Sequence, residues 1–248
     1  MKRHRLQQLR VVTCFLLVTL LSGCATTNSR DPQDPFEGFN RSAFNFNQAM
    51  DKNFFNPIGE LYDAILPEFI NQGITNFFSN LREISVIVND ILQLKIGQAV
   101  ADFARLVFNS TIGLLGFFDV STSLGLVKHN EDFGQTLAKW GFDSGPYFVI
   151  PFFGPTTLRA ATSFGVDGIL LSPTSYINDT AHRSGLMSLN YIDFKADLLD
   201  TGELLGFAAV DEYEFVKSVY LQHRDKLAHD RSNDEILESE EPDFEDFD

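Results

Sequence analysis

The sequence predicts a single all-α domain carried behind a lipid-attachment signal. Apolar residues recur at helical rather than alternating spacing across 36–50 and 84–92. Helix-starting residues stand at Pro67, Ser172-Pro173 and Asp211, and a short run at 147–150 reads as extended before Pro151 stops it.

In chain order, Lys2, Arg3, Arg5 and Arg10 precede a charge-free apolar run of eleven residues, 11–21. That run is far short of the roughly 20 residues a bilayer span needs, and it suits a secretory signal. Leu21-Ser22-Gly23-Cys24 then resembles a bacterial lipobox, in which the cysteine is acylated and becomes the new N-terminus. Ala25 rather than an acidic residue follows, which favours export to the outer membrane. Because Cys14 leaves with the signal and Cys24 is acylated, no thiol remains for disulfides, catalysis or metal binding. Cleavage after residue 23 leaves 225 of the 248 residues, enough for one domain. It also removes four basic side chains, taking the formal charge from −15 to −19. Such a chain has no basic footprint for nucleic acid and repels anionic headgroups, so apolar surface must hold it at any membrane.

Residues 24–35 read as a polar tether with two prolines, and the domain is expected over 36–228. Phe36, Phe39, Ala43, Phe46 and Met50, spaced 3, 4, 3 and 4, form one helix face, with Asn40, Asn47 and Asp51 away from it. Pro57 interrupts, and Pro67 opens a helix running towards Asn80. Ile84, Ile87, Val88, Ile91 and Leu92 make another stripe, with Arg82, Glu83, Asn89, Asp90 and Gln93 opposite. The thirteen residues 106–118 carry no charge; they form a buried core helix, a re-entrant hairpin or a helix in the lipid interface, and Gly113 and Gly116 allow a bend. Pro155 suits the opening of a helix through Arg159. Asp211 with Glu214 matches a capping box, ahead of an apolar side of Tyr213, Val216, Val219 and Tyr220. Residues 229–248 hold ten acidic side chains against Arg231 and read as a disordered, solvating tail.

Composition adds 25 Phe against one Trp. Those rings either fill a helical core or coat a surface that meets lipid; composition alone supports both readings. No phosphate loop of the GxxxxGK type, G-x-S-x-G elbow or HExxH pair occurs, and His129, His182, His223 and His229 are scattered, so no metal or cofactor is expected. Asp119, Asp143, Asp167 and Asp193 could meet as an acid–base pair, although structural roles account for each of them more simply.

Several stretches in register resemble the MlaA (VacJ) family of phospholipid-transport lipoproteins. Asp34-Pro35-Phe36-Glu37-Gly38-Phe39-Asn40-Arg41 with Phe44-Asn45-Phe46-Asn47 is similar to the family's opening. Arg105 and the run from Phe108-Asn109-Ser110-Thr111-Ile112-Gly113 to Gly116-Phe117-Phe118-Asp119-Val120 match a second signature. Asp132 to Leu137 with Trp140-Gly141 follows, and Gly145-Pro146-Tyr147 through Pro151, Gly154, Pro155 and Arg159 matches a further one. The chain departs from the pattern at Ile84, where the family has proline after glutamate, at Ser121 in place of alanine, and at Ala160, where aspartate usually follows the arginine.

The resemblance implies a ring-shaped helical domain embedded in one leaflet of the outer membrane and associated with a trimeric porin. An amphipathic channel would pass misplaced phospholipids to the periplasmic carrier MlaC. Within it, 106–119 is expected to bend at the two glycines and border the passage, making Asn109, Gly113, Gly116 and Asp119 candidate channel or hinge residues. Phe39, Asn40, Arg41, Asn45, Phe46, Gly145, Pro146, Tyr147, Pro151, Gly154, Pro155 and Arg159 are expected to be architectural. A porin-binding structural lipoprotein and a phospholipid-hydrolysing enzyme are the alternatives.

Overall fold

A computed structural model describes residues 31–198 and 211–230; the signal, Cys24 and most of the acidic tail lie outside the described residues. The domain is mostly helical, with one two-stranded sheet. Helix α1 (Glu37–Met50) passes through a π-turn (Asp51–Phe55) directly into α2 (Asn56–Ile65), so Pro57 does not break the rod. A proline ring clashes with the carbonyl four residues back, and the wider π-turn, closed by Asn56 N–H on Asp51 O, takes up that misfit.

Pro67 then caps α3 (Glu68–Leu92), a single 25-residue helix rather than two segments. Ile84 permits this: a proline there would remove a mid-helix donor and kink the rod. Helix α4 (Ile96–Thr111) packs along α3 and ends in a turn over 112–118. In that turn Leu114, Leu115 and Gly116 all have positive φ. A Cβ on Gly116 (φ +92°) would overlap the Asn80 side chain, and one on Gly113 would overlap the Phe118 and Asn109 carbonyls. Gly116→Ala is therefore expected to lower stability by roughly 1–3 kcal/mol, read as a drop in thermal midpoint of the detergent-solubilised protein.

Asp119 caps the short α5 (Val120–Ser123), and Asp132 caps α6 (Phe133–Lys139). The extended run is strand β1 (Tyr147–Ile150). The helix expected from Pro155 begins later, because β2 (Gly154–Thr157) pairs antiparallel with β1, Tyr147 facing Thr157 and Ile150 facing Gly154. Pro155 lacks a donor but tolerates a position in this two-stranded hairpin. Thr157 then accepts the Ala160 N–H and opens α7 (Leu158–Gly165). A second π-turn (Val166–Leu170) and a 3-10 turn (Pro173–Tyr176) lead to α8 (Thr180–Asp197). In α9 (Glu212–Ala228) the Asp211 carboxylate accepts the Glu214 N–H, as expected of a cap, while the Glu214 side chain pairs with Arg41 and Lys217.

A small apolar nucleus of Ala43, Tyr147, Val149 and Tyr213 joins α1, β1 and α9. A polar knot completes it. Asn40 donates to Asp34 (2.7 Å) and to the Tyr147 carbonyl (3.2 Å) and accepts the Val149 N–H (2.9 Å). Asp34 also accepts the Tyr213 hydroxyl (2.5 Å), and Lys217 pairs with Asp31 (3.1 Å). Asp31 and Asp34, inside the stretch expected to be tether, are thus part of the packed domain.

The burial pattern is inverted relative to a water-soluble protein. Asn40, Asn80, Glu83, Asn89, Asp90, Asp102, Arg105 and Asn109 are buried, whereas among the described phenylalanines only Phe78 is. Asn40, set away from the apolar stripe of α1, is buried beside Ala43 of that stripe, and on α3 Glu83, Asn89 and Asp90, set opposite the apolar stripe, are the inner residues. Phe36, Phe46, Ile91 and Leu92 point outward. No described helix is long and apolar enough to cross a membrane.

Candidate functional site

On α4, Asp102, Arg105 and Asn109 are spaced 3 and 4 apart and face inward, while Val100, Phe103, Val107 and Phe108 face out. On α3, Asn80, Glu83 and Asp90 share the facing stripe. Between them lies Arg105, only 1% exposed. Its Nη2 donates to both oxygens of Asp119 (3.1 and 3.2 Å), its Nε reaches Glu83 (3.5 Å), and its Nη1 reaches the Leu126 carbonyl (2.6 Å) and Thr122 Oγ1 (3.2 Å). Asn109 bridges the same group, donating to Asp119 (3.1 Å) and accepting the Ser121 N–H (2.9 Å). Burial alone would raise the Asp119 carboxyl; the Thr122 hydroxyl and amide, Asn109 and Arg105 outweigh it and hold the group at about 2. Asp119 is thus a permanently charged cap.

These polar groups hold the 112–118 turn from behind. Asn80 donates to Ser110 Oγ (2.9 Å) and to the Leu115 carbonyl (3.3 Å), and Asn76 donates to the Phe117 carbonyl (3.3 Å). With its backbone fixed, the turn presents Ile112, Leu114, Leu115 and Phe118 outward at 61, 66, 67 and 50% exposure. The charge-free segment is consequently not a core helix but an apolar tip on a polar frame. Of the four candidate residues, Gly113 and Gly116 make the bend, while Asn109 and Asp119 sit in its buried frame. Leucine at both glycines would clash with that frame, so such a variant tests packing rather than lipid passage.

A second buried network lies further along the same helix pair. Gln93 donates to Glu131 (2.9 Å), Thr136 to Asn89 (2.7 Å) and Asn89 to Asp167 (2.9 Å). Lys95 pairs with Glu131 (2.8 Å), and His129 Nδ1 lies 2.9 Å from Asp102. Asp90 is fully buried and neither of its oxygens receives a donor. Burial, with the Asp102 carboxylate beside it and Glu131 nearby, pushes the Asp90 carboxyl up to about 8 against the opposing pull of Lys95. The environment therefore favours the neutral acid form of Asp90 beside the Asp102 carboxylate.

Because the folded group binds its proton more tightly than the unfolded one, its contribution is complete below the ordinary aspartate range. It fades as pH rises from about 4 through about 8. Asp90→Asn, which keeps a donor at every pH, is expected to flatten this decline. At pH 8 its midpoint should exceed that of the parent by about 5 °C, with near equality at pH 5, in paired melts.

The residues expected to be architectural take the following places. Phe39 packs on the apolar nucleus, and Arg41 lies 4.4 Å over the Tyr213 ring while pairing with Glu37, Asp211 and Glu214. Asn45 lines a polar cleft beside Arg41, and Phe46 meets Phe152 edge-on at 5.1 Å. Gly145 and Gly154 take positive φ at the ends of the hairpin, whose first strand Pro151 follows, and the Pro146 carbonyl accepts the Leu158 N–H (3.1 Å). Arg159 Nη1 donates to the Phe142 carbonyl (2.7 Å), and Ala160, in place of the usual aspartate, is buried.

Asp119, Asp167 and Asp193 each take separate partners and form no acid–base pair; Asp143 is exposed. Sequence reasoning assigned no role to Arg105, Glu83, Asp90 or Asp102. The signal was present in the 3- and 4-residue spacing of charged and amide side chains along α3 and α4.

A mostly helical fold with a polar interior and an apolar exterior defines a membrane-associated domain, stable where hydrocarbon rather than water covers its surface. The sequence profile of the family described as MlaA lipoprotein matches residues 32–227. The intermembrane phospholipid transport system lipoprotein MlaA of Escherichia coli (strain K12) is 33% identical over 228 residues, 90% of each chain. Its Haemophilus influenzae counterpart is 28% identical over 238 residues, 93% of this chain and 94% of its own. A solved structure reported as the structural basis for maintenance of bacterial outer membrane lipid asymmetry superposes with a TM-score of 0.69 at 32% identity, over 79% of this chain and 98% of that one. The chain belongs to the MlaA lipoprotein family.

Proposed function

We propose that this protein removes mislocalised phospholipids from the outer leaflet of the outer membrane and passes them to a soluble periplasmic carrier, MlaC. Cys24 carries the lipid anchor, Ala25 directs it to the outer membrane, and the domain sits at the periplasmic side beside a trimeric porin. It moves lipid without covalent chemistry.

The observation that carries this reading is the inverted burial pattern. An apolar exterior holds the domain in one leaflet without a spanning helix. A buried polar framework, with Asn109 and Asp119 behind the Gly113–Gly116 bend, keeps rigid the wall beside which a headgroup moves. Leaving a headgroup without water or polar partners costs several kcal/mol, so a polar-lined route lowers the barrier to its passage. Cells lacking the protein should expose more phospholipid to surface labelling, and the intact chain should restore the parental level. Unchanged labelling would reject the proposal and favour a structural lipoprotein. Release of cleavage products from labelled phospholipid by the purified protein would favour a hydrolase.

A further inference from the structure

Among the described residues, five that are not glycine hold a positive φ: Leu94, Leu114, Leu115, Phe152 and Asp230. That conformation falls most readily to glycine, asparagine and aspartate, because a Cβ there crowds the following carbonyl. Four of the five are nevertheless large apolar residues, and all four are exposed. Leu114 and Leu115 belong to the apolar tip at 112–118, and Phe152 rests on Phe46. Leu94 belongs to neither, and at 82% it is the most exposed large apolar side chain among the described residues.

Leu94 stands where α3 stops. The Lys95 N–H donates to the Asp90 carbonyl (2.8 Å) and the Leu94 N–H to the Ile91 carbonyl (3.0 Å), a paired closure whose left-handed residue is usually glycine. The neighbouring side chains divide by polarity. Gln93 is buried against Glu131, and the Lys95 ammonium turns back onto Glu131 (2.8 Å) and Asp230 (2.5 Å). Ile91, Leu92, Leu94 and Ile96 are left exposed. Trp140 donates from Nε1 to the Leu92 carbonyl (3.1 Å) while half of its surface stays open, as suits an indole at a membrane interface. Val100, Phe103 and Val107 continue the exposed apolar face along α4 to the 112–118 turn. Glycine at 94 would close the cap at lower cost. At that exposure leucine gains little from protein contacts, and hydrocarbon is the medium that offsets its strain.

We propose that the 91–96 turn, led by Leu94, inserts among the acyl chains of the leaflet as a second apolar tip, at the end of the α3–α4 pair opposite the 112–118 turn. The proposal rests on the leaflet placement above. Helix α4 is about 24 Å long, more than the roughly 15 Å of one leaflet's hydrocarbon, so both tips reach acyl chains only when the pair lies along the leaflet. The test places one thiol in the full lipidated chain, by Leu94→Cys or Leu114→Cys. That thiol is the only free one, since Cys14 leaves with the signal and Cys24 is acylated. It is labelled with an environment-sensitive fluorophore, and the protein is reconstituted in vesicles of phosphatidylethanolamine and phosphatidylglycerol. The label at 94 should be quenched by lipid carrying a nitroxide on its acyl chain and shielded from aqueous iodide, as at 114. Iodide quenching at 94 with lipid quenching at 114 overturns the second tip and leaves the leaflet placement intact. Quenching at 94 by neither reagent means that protein covers the turn, as in contact between copies, and also overturns it. Lipid quenching at neither position removes both readings. Leu94→Asn gives a second readout, with effects of opposite sign. In a Cys24→Ser background it should bind the same vesicles about tenfold less than its parent. Relief of the left-handed strain should raise its thermal midpoint in detergent by about 2–4 °C. Equal vesicle binding, or a midpoint that falls together with binding, overturns the proposal.

Discussion

Arg105→Leu is expected to unfold the domain more readily than any other single substitution considered. The guanidinium serves two acids, Glu83 and Asp119, and a carbonyl, from a position that is 1% exposed. Leucine matches the stem in character but leaves a charged cap and a buried carboxyl with no counter-charge. Removing one partner of a buried pair typically costs about 3–5 kcal/mol. For a domain of this size that corresponds to a fall of roughly 10 °C in thermal midpoint. Adding Glu83→Gln and Asp119→Asn to the leucine variant should restore part of the loss, because the stranded charges then disappear. A midpoint within about 2 °C of the parent would show that the buried network contributes nothing measurable.

The second large effect concerns the apolar tip. Leu114 and Leu115 are exposed and have positive φ (53° and 62°), a conformation that leucine adopts reluctantly and aspartate tolerates better. In water, Leu114→Asp with Leu115→Asp would therefore be neutral or mildly stabilising. In a leaflet the outcome reverses: a carboxylate opposes burial in hydrocarbon by up to about 3 kcal/mol at the bilayer centre and less near the interface. In a Cys24→Ser background, which removes the acyl anchor, the double aspartate variant should partition into outer-membrane vesicles at least about tenfold less than its parent. The detergent-solubilised midpoints should remain similar. Equal partitioning would mean that this turn does not meet lipid.

Much of the helical framework was legible from spacing, because periodicity reports which residues share a face. It does not report which face points inward. On α1 the apolar stripe splits: Phe39 and Ala43 pack on the nucleus while Phe36 and Phe46 are exposed, and Asn40, away from the stripe, is buried and tied to Asp34 and Tyr147. On α3 the polar side faces in: Glu83, Asn89 and Asp90 are buried and Ile91 and Leu92 are not. The direction depends on the medium outside the protein, and a leaflet selects the opposite face from water. The bend at Gly113 and Gly116 was legible because glycine weakens a helix. The strand at Gly154–Thr157 was not, since a proline starting a helix and a proline on a sheet edge look alike in sequence. The proton held by Asp90 was invisible for a different reason: it depends on Asp102, twelve residues away on another helix.

The account stands on hydrocarbon, not water, being the solvent of the outer surface. Its most direct test is the Cys24→Ser chain, exported by a cleavable signal and fractionated without detergent. The expected result is that it remains with the membrane and leaves it only when detergent is added. Recovery as a monodisperse, freely soluble monomer in plain buffer would contradict the account.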